Sequence, residues 1–86
     1  MVDLNIYRQQ IDEVDSKLLE LIAKRLEIVK LVGEYKKQNN LPVIDKSREA
    51  ALLDKLAEKG EKYNISRDLI ESIWKQLFNT AYKLEE

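Results

Sequence analysis

The sequence predicts an all-α protein, because turn-forming residues are scarce and one helical pattern is very long. The 86 residues include only two glycines and one proline, too few for the turns of a many-stranded sheet. From residue 4 to residue 35, apolar side chains recur every three or four positions, which is the spacing of one helix face. We expect one domain, residues 1–86, with one very long, one short and one medium helix.

The first helix is predicted over about residues 4–38, a segment with no proline and a single glycine, Gly33. Its stripe comprises Leu4, Tyr7, Ile11, Val14, Leu18, Leu21, Arg25, Ile28, Val32 and Tyr35. Such a helix is roughly 50 Å long, whereas a compact chain of this length has a radius of gyration of about 12 Å. Because one chain cannot cover the stripe, we expect an intertwined homodimer with the long helices side by side.

Two short connections separate the remaining helices. Asn39, Asn40 and Pro42 end the first helix, since proline disfavours helical geometry at the residue before it. The second helix is predicted over about residues 46–59, with Asp45 or Ser47 as its N-cap and Gly60 as the residue that ends it.

Ser66 is predicted to cap the third helix, over about residues 67–84, with Asp68 in its first turn. Ile65 and Ile70 have the spacing of a hydrophobic staple across that cap. Trp74, Phe78 and Tyr82 follow at four-residue spacing, and we assign this stripe to core packing.

Arg25 places a permanent positive charge on the apolar stripe of the first helix. A buried guanidinium is costly unless an anion lies beside it. Lys36, eleven residues later, points within about 20° of the same direction. Two interpretations remain open here. In the first, Arg25 is satisfied without a ligand, either by extending to solvent or by pairing with Glu49 or Glu85. In the second, it binds an external anion.

Other cations in the sequence indicate which kind of external anion Arg25 would bind. Arg48 and Glu49 begin the second helix, where each alone would be an ordinary surface residue. In an antiparallel helix pair, Arg8 of one chain would reach the site of the other chain. Arg8, Arg25, Lys36 and Arg48 together would form a cationic pocket suited to a compact ligand with two carboxylates.

Composition excludes several other classes of function. Lys plus Arg (15) nearly balance Asp plus Glu (16), so we expect neither nucleic acid nor a membrane surface as a partner. The sequence has no apolar run of membrane-spanning length and begins without a secretion signal, which predicts a cytoplasmic protein. Without cysteine or histidine, we expect no thiolate or imidazole chemistry and no metal or cofactor.

The charged positions together resemble the all-helical class of chorismate mutases. The resemblance is carried by Arg8, by the segment IDEVDSKLLELIAKR (11–25) ending in Arg25, and by Lys36. It extends through a Pro-Val-x-Asp-x-x-Arg-Glu loop, here residues 42–49, and covers essentially the whole chain.

The resemblance implies an isomerase that rearranges chorismate to prephenate, on the route to phenylalanine and tyrosine, in a dimer whose two sites each use both chains. The reaction is an intramolecular pericyclic shift that needs no nucleophile and no metal. By matching position, Arg25 and Arg8 of a second copy would hold the carboxylates, with Arg48 assisting. Lys36 would donate to the ether oxygen, and Glu49 with the Asp45 region would hold the ring hydroxyl.

The third helix departs from the family pattern at two positions. Ala81 stands where relatives often have a polar residue, and Glu85 stands where they often have glutamine or glutamate. Glu85 would have to carry a proton to donate to the ether oxygen, because an ionised carboxylate would repel the developing charge. We therefore expect activity to fall as pH rises through neutral, and Glu85→Gln to flatten that profile.

Three alternatives to this function remain. An isochorismate-pyruvate lyase of the same fold would share the cationic pocket. The domain could also depend on a partner enzyme of the same pathway. A non-catalytic helical dimerisation module would have no use for Arg25, so Arg25→Leu would then raise stability without removing an activity.

Overall fold

A computed structural model describes residues 3–86 as three α-helices and, within that range, no strand: α1 (Leu4–Gln38), α2 (Lys46–Glu61) and α3 (Arg67–Glu85). The all-α prediction is confirmed. The structure measures 60 × 24 × 15 Å with a radius of gyration of 16.4 Å, well above the roughly 12 Å of a compact chain of this length. The long first helix accounts for this elongation.

Short polar side chains begin each helix by accepting a hydrogen bond from a free backbone amide of the first turn. Asp3 accepts from the amide of Asn5 at 3.2 Å, which the sequence analysis did not predict. Asp45, rather than Ser47, accepts from the amide of Arg48 at 3.0 Å. Ser66 accepts from Leu69 at 3.2 Å, as predicted.

The predicted end of α2 at Gly60 is wrong. The helix continues through Gly60 to Glu61, and the left-handed backbone expected there occurs instead at Asn64, with φ of 57°. Gly60 is required for close packing: a Cβ atom would lie 2.6 Å from Cδ1 of Ile70 and 3.0 Å from the carbonyl oxygen of Ile65. The glycine therefore lets α3 approach α2.

Helix α3 packs against both α1 and α2 and supplies the small core of the chain. Its Ile70, Phe78 and Ala81 are the buried apolar side chains within residues 3–86. By contrast, every apolar member of the α1 stripe is between 41% and 64% exposed. One chain thus leaves the stripe uncovered along its whole length.

The helices are amphipathic rather than uniformly apolar. Within residues 3–86, none combines the length and the hydrophobicity needed to cross a lipid bilayer.

Candidate active site

A cleft of about 160 Å³ lies where the C-terminal half of α1, the start of α2 and the last turns of α3 meet. The residues that line it are Arg25, Val29, Val32, Lys36, Val43, Asp45, Arg48, Glu49, Leu52, Phe78, Ala81, Tyr82 and Glu85. All three helices thus contribute both charged and apolar groups to one concave surface.

All but one of the predicted site residues line this cleft. The exception is Arg8, which lies on the exposed N-terminal half of α1, seventeen residues before Arg25. That separation is roughly 25 Å along the helix axis, beyond the reach of an arginine side chain. Its place in the site of a second copy stays a prediction.

Lys36 and Glu85 form an ion pair at the inner wall of the cleft. The ammonium nitrogen lies 2.6 Å from Oε1 of Glu85, at angles outside those of a hydrogen bond. It also donates to the carbonyl oxygen of Val43 at 2.7 Å. Glu85 is only 5% exposed and is the buried charged residue of the described chain, so the end of α3 is docked rather than frayed.

Gly33 explains how the end of α3 comes so close to α1. A Cβ atom at this position would lie 2.9 Å from Cα of Glu85 and 3.1 Å from its Cγ. The first of these contacts is to backbone, which cannot turn away as a side chain can. Gly33 is therefore what lets Glu85 reach Lys36 one helical turn further along α1.

Arg25 has no anionic partner of its own. Nη1 of its guanidinium is buried without a hydrogen-bond partner, and within residues 3–86 the arginine forms no ion pair. Pairing with Glu49 or Glu85, which was one form of the first interpretation, is therefore wrong, and Nη1 is shielded from solvent. A buried donor without a partner is costly, which favours an anion supplied from outside.

Arg48 adds a second cation from the first turn of α2. Its backbone amide bonds the Asp45 cap, while its side chain is exposed and lines the cleft. Arg25 and Arg48 thus present two guanidinium groups to the same space, and guanidinium groups match carboxylates in a bidentate way.

Tyr82, which its helical spacing assigned to core packing, is a further residue of this cleft. Its hydroxyl donates a short hydrogen bond to Oε2 of Glu49, and its ring lines the cleft. This bond, together with burial and the negative charges of Glu49 and Glu85, raises the pKa of Tyr82 to about 12. The available signal was the polar end of an otherwise apolar stripe, because a half-buried tyrosine hydroxyl usually finds a partner.

Ala81 is buried beside the cleft and supplies no polar atom there. Five further residues give the cleft an apolar wall: Val29, Val32, Val43, Leu52 and Phe78. Within residues 3–86, no group of three or more acidic side chains is placed to hold a metal ion. The cleft therefore combines unpaired cations, held carboxylates and apolar surface, which suits a small organic anion.

The chain belongs to the chorismate mutase type II family, whose sequence model matches residues 7–86. It is 39% identical to the T-protein of Enterobacter agglomerans and 40% identical to that of Haemophilus influenzae, over 85 residues in each case. Each alignment covers 99% of this chain, but only 23% and 22% of those T-proteins. The chain therefore spans less than a quarter of the length of these relatives.

A shorter relative is the chorismate mutase of Methanocaldococcus jannaschii. It is 36% identical over 62 residues, which covers 72% of this chain and 63% of that protein. The similarity to this relative thus extends over most of both chains.

Proposed function

We propose that this domain is a chorismate mutase that rearranges chorismate to prephenate in a two-fold dimer. The observation that carries the proposal is Arg25, a guanidinium with a buried nitrogen and no anionic partner, in the cleft that gathers the other predicted site residues. Membership of the family and the names of the relatives support the same reaction.

The arginines would hold the substrate in its reactive shape. Chorismate carries two carboxylates, and its rearrangement needs the compact diaxial conformer in which the reacting carbon atoms approach each other. Arg25 and Arg48 both line the cleft. With Arg8 of a second copy, they would bind the carboxylates and select that conformer, which lowers the entropic part of the barrier.

Lys36 would stabilise the charge that develops on the ether oxygen as the C–O bond breaks. An ammonium group has three donors; on Lys36 one of them bonds the Val43 carbonyl oxygen, and the nitrogen also forms an ion pair with Glu85. These two contacts fix the nitrogen and leave it an N–H for the substrate. A donor positioned before the reaction stabilises the transition state more than the ground state. Glu85 would be the second donor to this oxygen when it carries a proton.

Glu49 and the Asp45 region would bind the ring hydroxyl. Glu49 lines the cleft from the first turn of α2, and Asp45 is the N-cap of the same helix. A carboxylate accepts a hydrogen bond from an alcohol and thereby fixes the ring against rotation.

A dimer would supply cover for the α1 stripe and an additional arginine for each cleft. The α1 stripe is exposed throughout, and pairing two such helices would bury it. An antiparallel pair would also bring Arg8 of each chain towards the cleft of the other chain. The dimer is thus part of the proposed site as well as of the proposed fold.

The direct test follows chorismate absorbance with purified protein, identifies prephenate as the product and includes Arg25→Leu alongside. We expect turnover by the parent and none by the variant, which should remain helical by circular dichroism. Isochorismate is assayed in parallel. Cleavage of isochorismate without turnover of chorismate would replace the mutase with a lyase, and no reaction with either substrate would contradict the proposed function.

A further inference from the structure

Glu49 is held by two groups, and the two contacts differ in strength. Oε2 accepts a hydrogen bond from the hydroxyl of Tyr82 on α3. Oε1 lies 3.6 Å from the ammonium of Lys46, one turn earlier on α2. The Lys46 side chain is 78% exposed, and an exposed pair at this distance contributes little. Tyr82 is therefore the group that orients Glu49.

We propose that Tyr82 is a positioning residue that fixes the Glu49 carboxylate towards the ring hydroxyl of the substrate. This role rests on the proposed function, because it concerns the same cleft. The bond spans two helices: Tyr82 follows the buried Ala81 near the end of α3, whereas Glu49 lies in the first turn of α2. A rigid aromatic side chain thus restrains a glutamate that would otherwise sample several rotamers.

The phenol orients Glu49 without neutralising it. A pKa near 12 keeps the Tyr82 hydroxyl protonated throughout the neutral range, so that it remains a donor. The Glu49 carboxylate keeps its charge, and Oε1 remains able to accept a hydrogen bond from a substrate alcohol. A cation in the place of Tyr82 would instead compete with the substrate for that charge.

Tyr82→Phe removes the hydroxyl and keeps the ring that lines the cleft. We expect kcat/KM to fall by about tenfold to a hundredfold, as for loss of one hydrogen bond to a charged group. Lys46→Ala is the matched control, since it removes the exposed contact to the same carboxylate. We expect it to change kcat/KM by less than about threefold.

A double-mutant cycle separates positioning from a merely structural role. If Tyr82 acts through Glu49, then Tyr82→Phe causes no further loss once Glu49→Ala has removed the acceptor. A structural role would lower kcat/KM by the same factor in both backgrounds, and that additive result would overturn the inference. Ultraviolet titration gives a readout independent of activity, because Glu49→Gln should lower the pKa of the tyrosine that Tyr82→Phe removes from the curve.

The outcomes also distinguish this inference from the proposed function. A parent that turns over chorismate, together with an equally active Tyr82→Phe, overturns the role of Tyr82 and leaves the mutase standing. A parent inactive on chorismate overturns both. An active parent, an impaired Tyr82→Phe and no additive loss with Glu49→Ala support the inference.

Discussion

The two halves of α1 differ in how much of the chain surrounds them. Every residue from 4 to 21 is exposed, whereas the half from 22 to 38 contains buried or half-buried residues at Ile22, Arg25, Leu26, Val29, Gly33 and Lys36. The second half lies against α3 and lines the cleft. Nevertheless, the same apolar stripe runs through both halves.

Helix α1 therefore has a supported half, residues 22–38, which packs within its own chain, and an unsupported half, residues 4–21, which is exposed. The half that carries Lys36 is supported within its own chain, through α3 and Val43. The half that carries Arg8 has apolar residues, but nothing within residues 3–86 covers them. An unsupported amphipathic half-helix is hard to explain in a monomer, since helix stability in proteins comes mostly from packing of the apolar face. The comparison favours a second copy that covers it.

The largest expected effect comes from breaking the unsupported half. Leu18→Glu places a charge on the stripe, and the two copies together would lose about 3–6 kcal/mol of apolar burial. This loss raises the dimer dissociation constant by roughly two to four orders of magnitude. Analytical ultracentrifugation and the chorismate assay should show a monomer without turnover.

Lys17→Glu is the control, because it changes charge at the neighbouring position off the stripe. We expect it to remain dimeric and active. A Leu18→Glu protein that stays dimeric at low concentration would show that the exposed stripe is not the interface.

The next largest effect is expected from Gly33, in the half of α1 that packs against α3. Gly33→Ala forces a Cβ atom to within 2.9 Å of the Glu85 backbone. We expect overpacking to cost about 1–3 kcal/mol of unfolding free energy, of which alanine regains up to about 1 kcal/mol in helix propensity. Activity should fall with stability, because the Lys36–Glu85 pair is displaced.

Gly60→Ala is the matched substitution outside the cleft. Its closest contact is the end of the Ile70 side chain, followed by the Ile65 carbonyl. Chemical denaturation should show a loss of stability, whereas kcat/KM should stay within about twofold of the parent. Equal losses of activity in the two variants would contradict a specific role for Gly33 at the cleft.

A smaller effect concerns Glu85, the buried carboxyl at the end of α3. Glu85→Gln keeps the size and supplies an N–H donor at every pH. If Glu85 donates to the ether oxygen, it can do so only as the neutral acid, so the variant, which always carries a donor, should gain on the parent as pH rises. Measured kcat/KM profiles that coincide for the two proteins would remove Glu85 from this role.

The smallest expected effect is on stability at high pH. The pKa of Tyr82 is raised from 10.0 to about 12 in the folded chain, which means that folding favours the protonated phenol. Its stabilising contribution is complete below pH 10 and is lost as pH rises towards 12. Unfolding free energies of the parent should therefore decline more steeply in this window than those of Tyr82→Phe. Parallel curves would contradict the raised pKa.

Much of this structure could be predicted from sequence, since periodicity and caps are local signals. The bounds of α1, the Ser66 cap and the shared direction of Arg25 and Lys36 on α1 all lie within their reach. That Arg48 and Glu49 of α2 join them at one cleft was an expectation from the family resemblance. The hydrogen bond from Tyr82 to Glu49 does not lie within that reach, because it joins residues on different helices whose separation only the packed fold determines.

The role of Gly60 also depends on contacts between helices that the local sequence does not reveal. A glycine near a helix end usually marks the turn, but here close approach of Ile70 and Ile65 explains it and Asn64 adopts the left-handed backbone. Interhelical distances of this kind cannot be derived from local spacing. Likewise, the periodicity of one chain reveals the apolar α1 stripe but does not specify what covers it.

The central claim, that the cleft is completed by Arg8 of a second copy, is tested most directly by mixing two inactive variants. Arg8→Ala and Arg25→Ala should each abolish turnover of chorismate. After unfolding and refolding together in equal amounts, half of the dimers are mixed, and each mixed dimer holds one intact site of two. We predict recovery of about a quarter of the parent activity. No recovery in a mixture shown to contain mixed dimers would contradict a site shared between chains.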